Sequence, residues 1–151
     1  MPQSLSCVYV HGIFSTKDRF PYLGDDAIRE KMHRQLGGIS NTMGCPVVTV
    51  GGADDHVHIL ANLGRTVCQS DWIKELKRVS SGRVKQEGPN LTGFSWQGGY
   101  GVFSVDRDSL PKVQRYVANQ LEHHKRFSFK EEFLKILGEH KVEWDERYIW
   151  D

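Results

Sequence analysis

The order strand, helix, strand, strand, helix, strand, followed by further helices, predicts an α+β fold of ferredoxin-like or RRM-like type, an antiparallel sheet with helices packed on one face. Three observations carry that reading. β-branched and aromatic runs alternate with segments whose apolar residues recur at helical spacing. A short Gly-Gly-Ala-Asp-Asp link joins two of the runs closely enough for an antiparallel pair. The chain has 151 residues and 38% hydrophobic content, enough for one compact domain over residues 1–151 with its own core.

Cys7–Phe14 (CVYVHGIF) is the first expected strand. Pro21–Gly24 reads as a turn, and Asp25 as the N-cap of a helix in which Ile28, Met32 and Leu36 form one apolar stripe, stopped by Gly37 and Gly38. Pro46–Val50 and His56–Leu63 read as the strand pair. A second helix is expected over Ser70–Val79, burying Trp72, Ile73, Leu76 and Val79 and turning Lys74, Lys77 and Arg78 to solvent. The polar, glycine-bearing stretch Ser80–Pro89 reads as a loop, and Tyr100–Val105 as the next strand. Ser109 as N-cap and Pro111 in the first turn start a helix that should run through Tyr116 and Gln120 to His124. A last helix is expected over Ser128–Leu137, ending at Gly138, and the Trp- and Tyr-rich tail Val142–Asp151 should pack on the domain.

Composition narrows the function classes. Lys+Arg 20 against Asp+Glu 19 leaves a net charge of +1, so any nucleic-acid surface must be a local patch. Cys7, Cys45 and Cys68 are an odd number at wide spacing without a CxxC pair, which points away from a disulfide framework or thiolate metal site and toward a reducing cytoplasm. The opening MPQSLSCVYVHGIF lacks a leader pattern, and no run of roughly eighteen apolar residues is present, so a soluble protein with no membrane partner is expected.

His56-Val57-His58 is the first chemically informative point. Side chains alternate along a strand, so His56 and His58 project from one face and Val57 and Ile59 from the other, bringing two imidazoles to a spacing that can share one cation. The same pattern also describes two exposed histidines on a half-buried strand. Asp54 and Asp55 just upstream read as turn residues, with anchoring of the imidazoles as the other possibility. Tyr116 and Gln120 lie four apart on an expected helix and share a face. A tyrosine on such a helix is ordinarily core or interface, and its weight comes from combination with the histidine pair. Two imidazole nitrogens and an amide oxygen leave positions open on a divalent ion that could polarise a phosphate while the phenol attacks it.

The runs GGADDHVHILANL, WIKELKRVSS, FSWQGGYGVFSV and VQRYVANQLEHHKRFSFKEEFLKIL resemble, in order and over nearly the whole chain, the insertion-sequence-200-like single-tyrosine transposases of the HUH nuclease superfamily, including REP-associated tyrosine transposases. The resemblance implies that His56, His58 and Gln120 hold Mg²⁺ or Mn²⁺ and that Tyr116 is the nucleophile. It also implies single-stranded DNA with hairpin ends as substrate, a 5′-phosphotyrosine intermediate, and a homodimer in which one subunit's histidines meet the other's tyrosine helix. Such a protein would associate with the nucleoid when bound to DNA.

For DNA contact, Lys74, Lys77, Arg78 and Arg83 supply phosphate-binding charge, and Trp96 an aromatic surface for an unpaired base; a solvated helix face and a core tryptophan are the plainer readings. His123, His124, Lys125 and Arg126 are explained as basic residues at a helix end. Three rivals remain. A nonenzymatic RNA- or DNA-binding module would need an RNP1-type pattern, which GGYGVFSV only approaches. A histidine-dependent nucleotide hydrolase would need a third alternating histidine where Leu60 stands. A transposase that binds without cutting is the third.

Overall fold

A computed structural model describes residues 2–151. Four strands, β1 (Tyr9–Ser15), β2 (Val47–Gly52), β3 (His56–Asn62) and β4 (Gly101–Val105), form one antiparallel sheet in the order β2-β3-β1-β4. The helices are α1 (Asp26–Thr42), α2 (Gln69–Val84), α3 (Leu110–Ala118), α4 (Gln120–His123) and α5 (Phe129–Glu139). This is the split βαβ arrangement the element order predicts. α1 and α2 cover one face, as expected. α3, α4 and α5 lie across the other, so the sheet is covered on both sides.

Strand alternation decides which residue meets which layer. Val10 and Phe14 of β1 and Val57, Ile59 and Ala61 of β3 point to α1 and α2, where they join Met32, Leu36, Trp72, Ile73 and Leu76 in the main core. The intervening residues face the other way. There Ile13 and Phe103 form a smaller cluster with Phe129, Phe133, Ile136 and Leu137 of α5.

Two helices run longer than their sequence suggests. α1 passes through Gly37 and Gly38 because Ile39 and Ser40 beyond them are buried. Its stop is Gly44, at φ +76°, whose left-handed backbone lets Gly44 N–H donate to the Asn41 carbonyl at 3.0 Å and Cys45 N–H to that of Ser40 at 3.0 Å. α2 continues past Val79 because Ser80 is a buried partner, accepting from Trp96 Nε1 at 3.0 Å, and Val84 is buried beyond it. In contrast, the expected helix from Ser109 to His124 is interrupted at Asn119 (φ −101°, ψ 23°), which divides α3 from α4. α5 begins at a full capping box, with the Ser128 hydroxyl accepting from Glu131 N–H and the Glu131 carboxylate from Ser128 N–H. The end of the tail docks: Arg19 Nη1 donates to the Trp150 carbonyl at 2.8 Å, and Gly99 N–H to that of Asp151 at 2.8 Å. Trp144 and Tyr148 stay exposed.

Candidate active site

His56 and His58 are fully buried and face α3–α5. In the ladder, His58 stands opposite Gly51 of β2 and Ile13 of β1. Gly51 has a specific consequence: a Cβ there would lie 2.1 Å from the carbonyl oxygen of Val117. The missing side chain is the space through which α3 descends onto the sheet, and that descent sets Tyr116 and Gln120 beside the histidines. The His58 and Tyr116 rings lie edge to face with centroids 5.8 Å apart.

The polar contacts form one network. His56 Nδ1 is 2.7 Å from the Asp55 carboxylate, and its Nε2 is 3.1 Å from Gln120 Oε1 and 3.5 Å from Glu132 Oε1. His58 Nδ1 is 2.8 Å from His11 Nε2, and its Nε2 is 3.0 Å from Glu132 Oε1. His124 Nδ1 faces the Phe127 carbonyl at 2.6 Å, leaving its Nε2 at 2.9 Å from Gln120 Oε1 and 3.2 Å from Glu132 Oε1. Gln120 Nε2 donates to the Tyr116 carbonyl at 3.2 Å, which turns Oε1 toward the histidines. The Tyr116 hydroxyl donates to Glu132 Oε2.

These contacts test whether a cation fits. A neutral His56 gives its one ring proton to Asp55, and a neutral His124 gives its own to the Phe127 carbonyl. Both Nε2 atoms then carry lone pairs, yet both face the acceptor oxygens of Gln120 and Glu132. Acceptors converging without a proton between them repel one another unless a positive charge stands among them. In the metal-free protein a ring proton on an Nε2 meets that need, and a divalent ion meets it with the imidazoles neutral. The donor atoms of His56, His58, His124 and Glu132 all lie within 4.8 Å of one another, so the residues fit a metal.

Burial pushes the His58 imidazole down to about 4, against the opposing pull of Glu132, and burial beside His58 pushes His11 down to about 3. Burial works against the charged form of Glu132 as well, but the bonds from His124 and His58 outweigh it and hold the carboxyl far below the usual carboxylate range. Burial also disfavours charge on His124, yet the Glu132 carboxylate and the Phe127 carbonyl raise it overall. The Tyr116 hydroxyl is pushed well up, by burial first and then by the neighbouring Glu132. Tyr116 is therefore a neutral phenol beside a carboxylate. Its ring lines a cavity of about 540 Å³ that also touches His11, Phe103, His123, Glu132 and Lys135, a size within the range of small-molecule clefts.

His56, His58, Tyr116 and Gln120 are thus brought together. The five proposed DNA contacts lie elsewhere. Lys74, Lys77, Arg78 and Arg83 all belong to α2, on the layer opposite Tyr116. Lys74 and Arg83 are exposed, and Arg78 pairs with Glu75 at 2.6 Å. Lys77 Nζ donates to the carbonyls of Gln97 and Gly99 at 2.8 and 2.7 Å, and burial lowers its pKa to about 8, so its donors are committed to that turn. Trp96 is 8% exposed, with Phe14 and Phe94 against its ring edge to face, which places it in the main core.

Sequence reasoning missed His11 and Glu132 and gave His124 only a helix-end role. Glu132 carried a signal: it sits with Phe129, Phe133 and Ile136 on the apolar stripe of α5, where an acid needs a buried partner. His11 carried the strand-alternation signal, sharing a face with Ile13 and Ser15.

Residues 4–120 match the family described as "Transposase IS200 like". Over 90 residues the chain is 28% identical to the ISDra2 transposase TnpA of Deinococcus radiodurans, a match covering 56% of this chain and 64% of that protein. The chain thus spans less than two thirds of that relative's length. The fold is shared with a crystal structure of a protein assigned as a transposase from Deinococcus radiodurans R1 (TM-score 0.61, 24% identity, 80% of this chain and 95% of that one). It is also shared with a REP-associated tyrosine transposase bound to a REP hairpin (TM-score 0.55, 10% identity, 78% and 68%). With more than half of its length matched by the family pattern, the chain belongs to the IS200-like transposases.

Proposed function

We propose that this transposase cleaves and rejoins single-stranded DNA through a covalent bond to Tyr116, with a divalent metal held by His56, His58 and Gln120. The observation that carries this reading is the convergence of the His56, His58, His124 and Glu132 donor atoms, within 4.8 Å of one another, beside Gln120 Oε1 and the Tyr116 hydroxyl. The ion, when bound, supplies positive charge that polarises the scissile phosphate.

The chain's own residues supply the rest. The phenol is fixed by its bond to Glu132 Oε2, so Oη is aimed before substrate arrives. As the Oη–P bond forms and the P–O3′ bond breaks, the Oη proton moves onto Glu132 Oε2 and the departing 3′ oxygen takes one proton from water to become a 3′-OH. Proton transfer ahead of attack is disfavoured because Tyr116 is pushed up and Glu132 down, so transfer accompanies bond formation. The products are a 5′-phosphotyrosine and a free 3′-OH. One phosphodiester replaces another, so the 3′-OH can reverse the step without ATP. An unpaired strand bends into this small cleft at low cost, which supports single-stranded DNA beside a hairpin as substrate, and exposed Lys74 and Arg83, on the opposite layer, are suited to phosphates of flanking DNA rather than of the cleaved strand.

The test is incubation with hairpin-flanked single-stranded DNA, labelled on either side of the cleavage point, with and without Mg²⁺ or Mn²⁺, followed by a denaturing gel. Protein should carry label from the fragment 3′ of the break, only with metal, and not after His56→Ala. Label from the 5′ fragment alone, or adduct in excess chelator, contradicts the proposal. Tyr116 lies against its own chain's His58, which supports a site assembled within one chain rather than the homodimeric exchange that the resemblance implies. Mixing His56→Ala with Tyr116→Phe should then recover no adduct; recovery would establish exchange between subunits.

A further inference from the structure

The two acceptors that sequence did not assign to the metal, His124 and Glu132, both lie beyond the family-matched residues 4–120. We propose that they complete the ligand set through His124 Nε2 and Glu132 Oε1, and that a site with three imidazoles thereby selects Mn²⁺ and the later first-row divalent ions over Mg²⁺. This rests on the metal-dependent reading above.

Geometry first argues for coordination. Glu132 Oε1 lies 3.0 Å from His58 Nε2, 3.2 Å from His124 Nε2 and 3.5 Å from His56 Nε2, so one oxygen is central to all three imidazoles. Its other oxygen is occupied separately by the Tyr116 hydroxyl, and the carboxylate thus joins nucleophile and metal site through different atoms. Glu132 is 3% exposed, so its charge has no bulk water to solvate it and needs a positive partner inside the protein. The Phe127 carbonyl fixes the ring proton of His124 on Nδ1, at 2.6 Å, and orients Nε2 toward Gln120 and Glu132.

Donor chemistry then sets the selectivity. Mg²⁺ favours octahedral oxygen ligation and keeps several waters. Three nitrogens crowded about one carboxylate and one amide oxygen suit imidazole-tolerant ions, whose affinities rise from Mn²⁺ to Cu²⁺ and fall back at Zn²⁺. His56 and His58 alone would leave room for a water-rich Mg²⁺ site; His124 removes that room.

Direct metal binding separates the layers of this argument. Mn²⁺ bound to the full chain is followed by electron paramagnetic resonance, with Mg²⁺ as competitor, for wild type, His124→Ala, Glu132→Gln and His56→Ala. Wild type should hold Mn²⁺ at least about 10-fold more tightly than Mg²⁺, and each of the His124 and Glu132 variants should weaken Mn²⁺ by about 10- to 100-fold. His124→Ala should also lower the coupled imidazole nitrogens from three to two, a signature that a purely structural role does not move. Thermal melts identify any variant that fails to fold, and Glu132→Gln keeps shape while removing charge. Wild-type Mn²⁺ affinity in both folded variants, an unchanged nitrogen count, or equal Mg²⁺ and Mn²⁺ affinity overturns the inference while leaving the metal-dependent reading intact. No divalent ion bound by wild type, or none lost in His56→Ala, sinks that reading as well.

Discussion

The two faces of the sheet use the same strands for opposite purposes. On the side of α1 and α2, Val10, Phe14, Val57, Ile59 and Ala61 close an apolar core with no polar requirement. On the side of α3–α5, His11, His56 and His58 from the same two strands are just as buried, yet each must find polar partners. A single-residue alternation divides the labour. One face supplies stability through area removed from water, and the other spends part of it on desolvated imidazoles and a buried carboxylate. Changes to the two faces should therefore be separable.

The largest separable effect is expected at Tyr116. Tyr116→Phe keeps the ring and loses only Oη, so covalent adduct should vanish while the melting temperature stays within a few degrees. The opposite pattern is expected at Ile59, fully buried on the other side of the same strand as His58. Ile59→Ala should cost about 2–5 kcal/mol in denaturant unfolding while adduct formed per folded molecule remains near wild type. Loss of chemistry out of proportion to folded protein in Ile59→Ala would mean that the faces are coupled.

Between the two lies Gly51, where the helical layer reaches through the sheet's edge strand toward His58. Gly51→Ala puts a methyl against the Val117 carbonyl and must push α3 outward, lowering adduct formation at least about tenfold and destabilising by about 1–3 kcal/mol. Near-normal adduct in this variant would show that the placement of Tyr116 does not depend on that close approach.

How much of each face was legible follows from range. The apolar face was readable from local period: the strands, the burial of Trp72, Ile73 and Leu76, and the stripe of α1 all follow from spacing within one element. Where local signals misled, a distant contact decided. Gly37 and Gly38 look like a helix stop, but Ser40 further on accepts from Trp72 Nε1 at 2.9 Å and keeps the turn wound. The second face was half legible. His56 and His58 share a face by alternation, and Tyr116 and Gln120 by helical spacing. That Glu132 reaches His56, His58 and Tyr116 from α5 depends on the angle at which three separate helices cross the sheet, which no local period encodes. The placement of Trp96 and Lys77 was not legible for the same reason: both are taken up by partners far away in sequence, Ser80 for one and the turn at Gln97–Gly99 for the other.

The smallest expected effect contrasts partnered histidines with an unpartnered one. His33, on α1, has a buried Nε2 without a hydrogen-bond partner among the described residues, and burial beside Arg29 lowers its pKa from 6.5 to about 4. The folded chain therefore binds fewer protons at this ring than the unfolded chain does between pH 6.5 and about 4. Stability must rise with pH across that window and fall as acid is added, by up to about 1.4 kcal/mol for each pH unit crossed, reaching its full loss below the folded value. His33→Leu removes the titration and an unsatisfied nitrogen together. It should leave stability at pH 7 equal or higher and make the decline between pH 6.5 and 4 shallower than in wild type. His58 and His11, lowered to about 4 and about 3, still contribute their own acid loss, so the decline should persist with reduced slope rather than disappear. Urea unfolding at half-unit pH steps distinguishes the cases. Parallel stability curves for wild type and His33→Leu would show that His33 is not held neutral by its burial, and that the acid sensitivity belongs entirely to the face that carries the tyrosine.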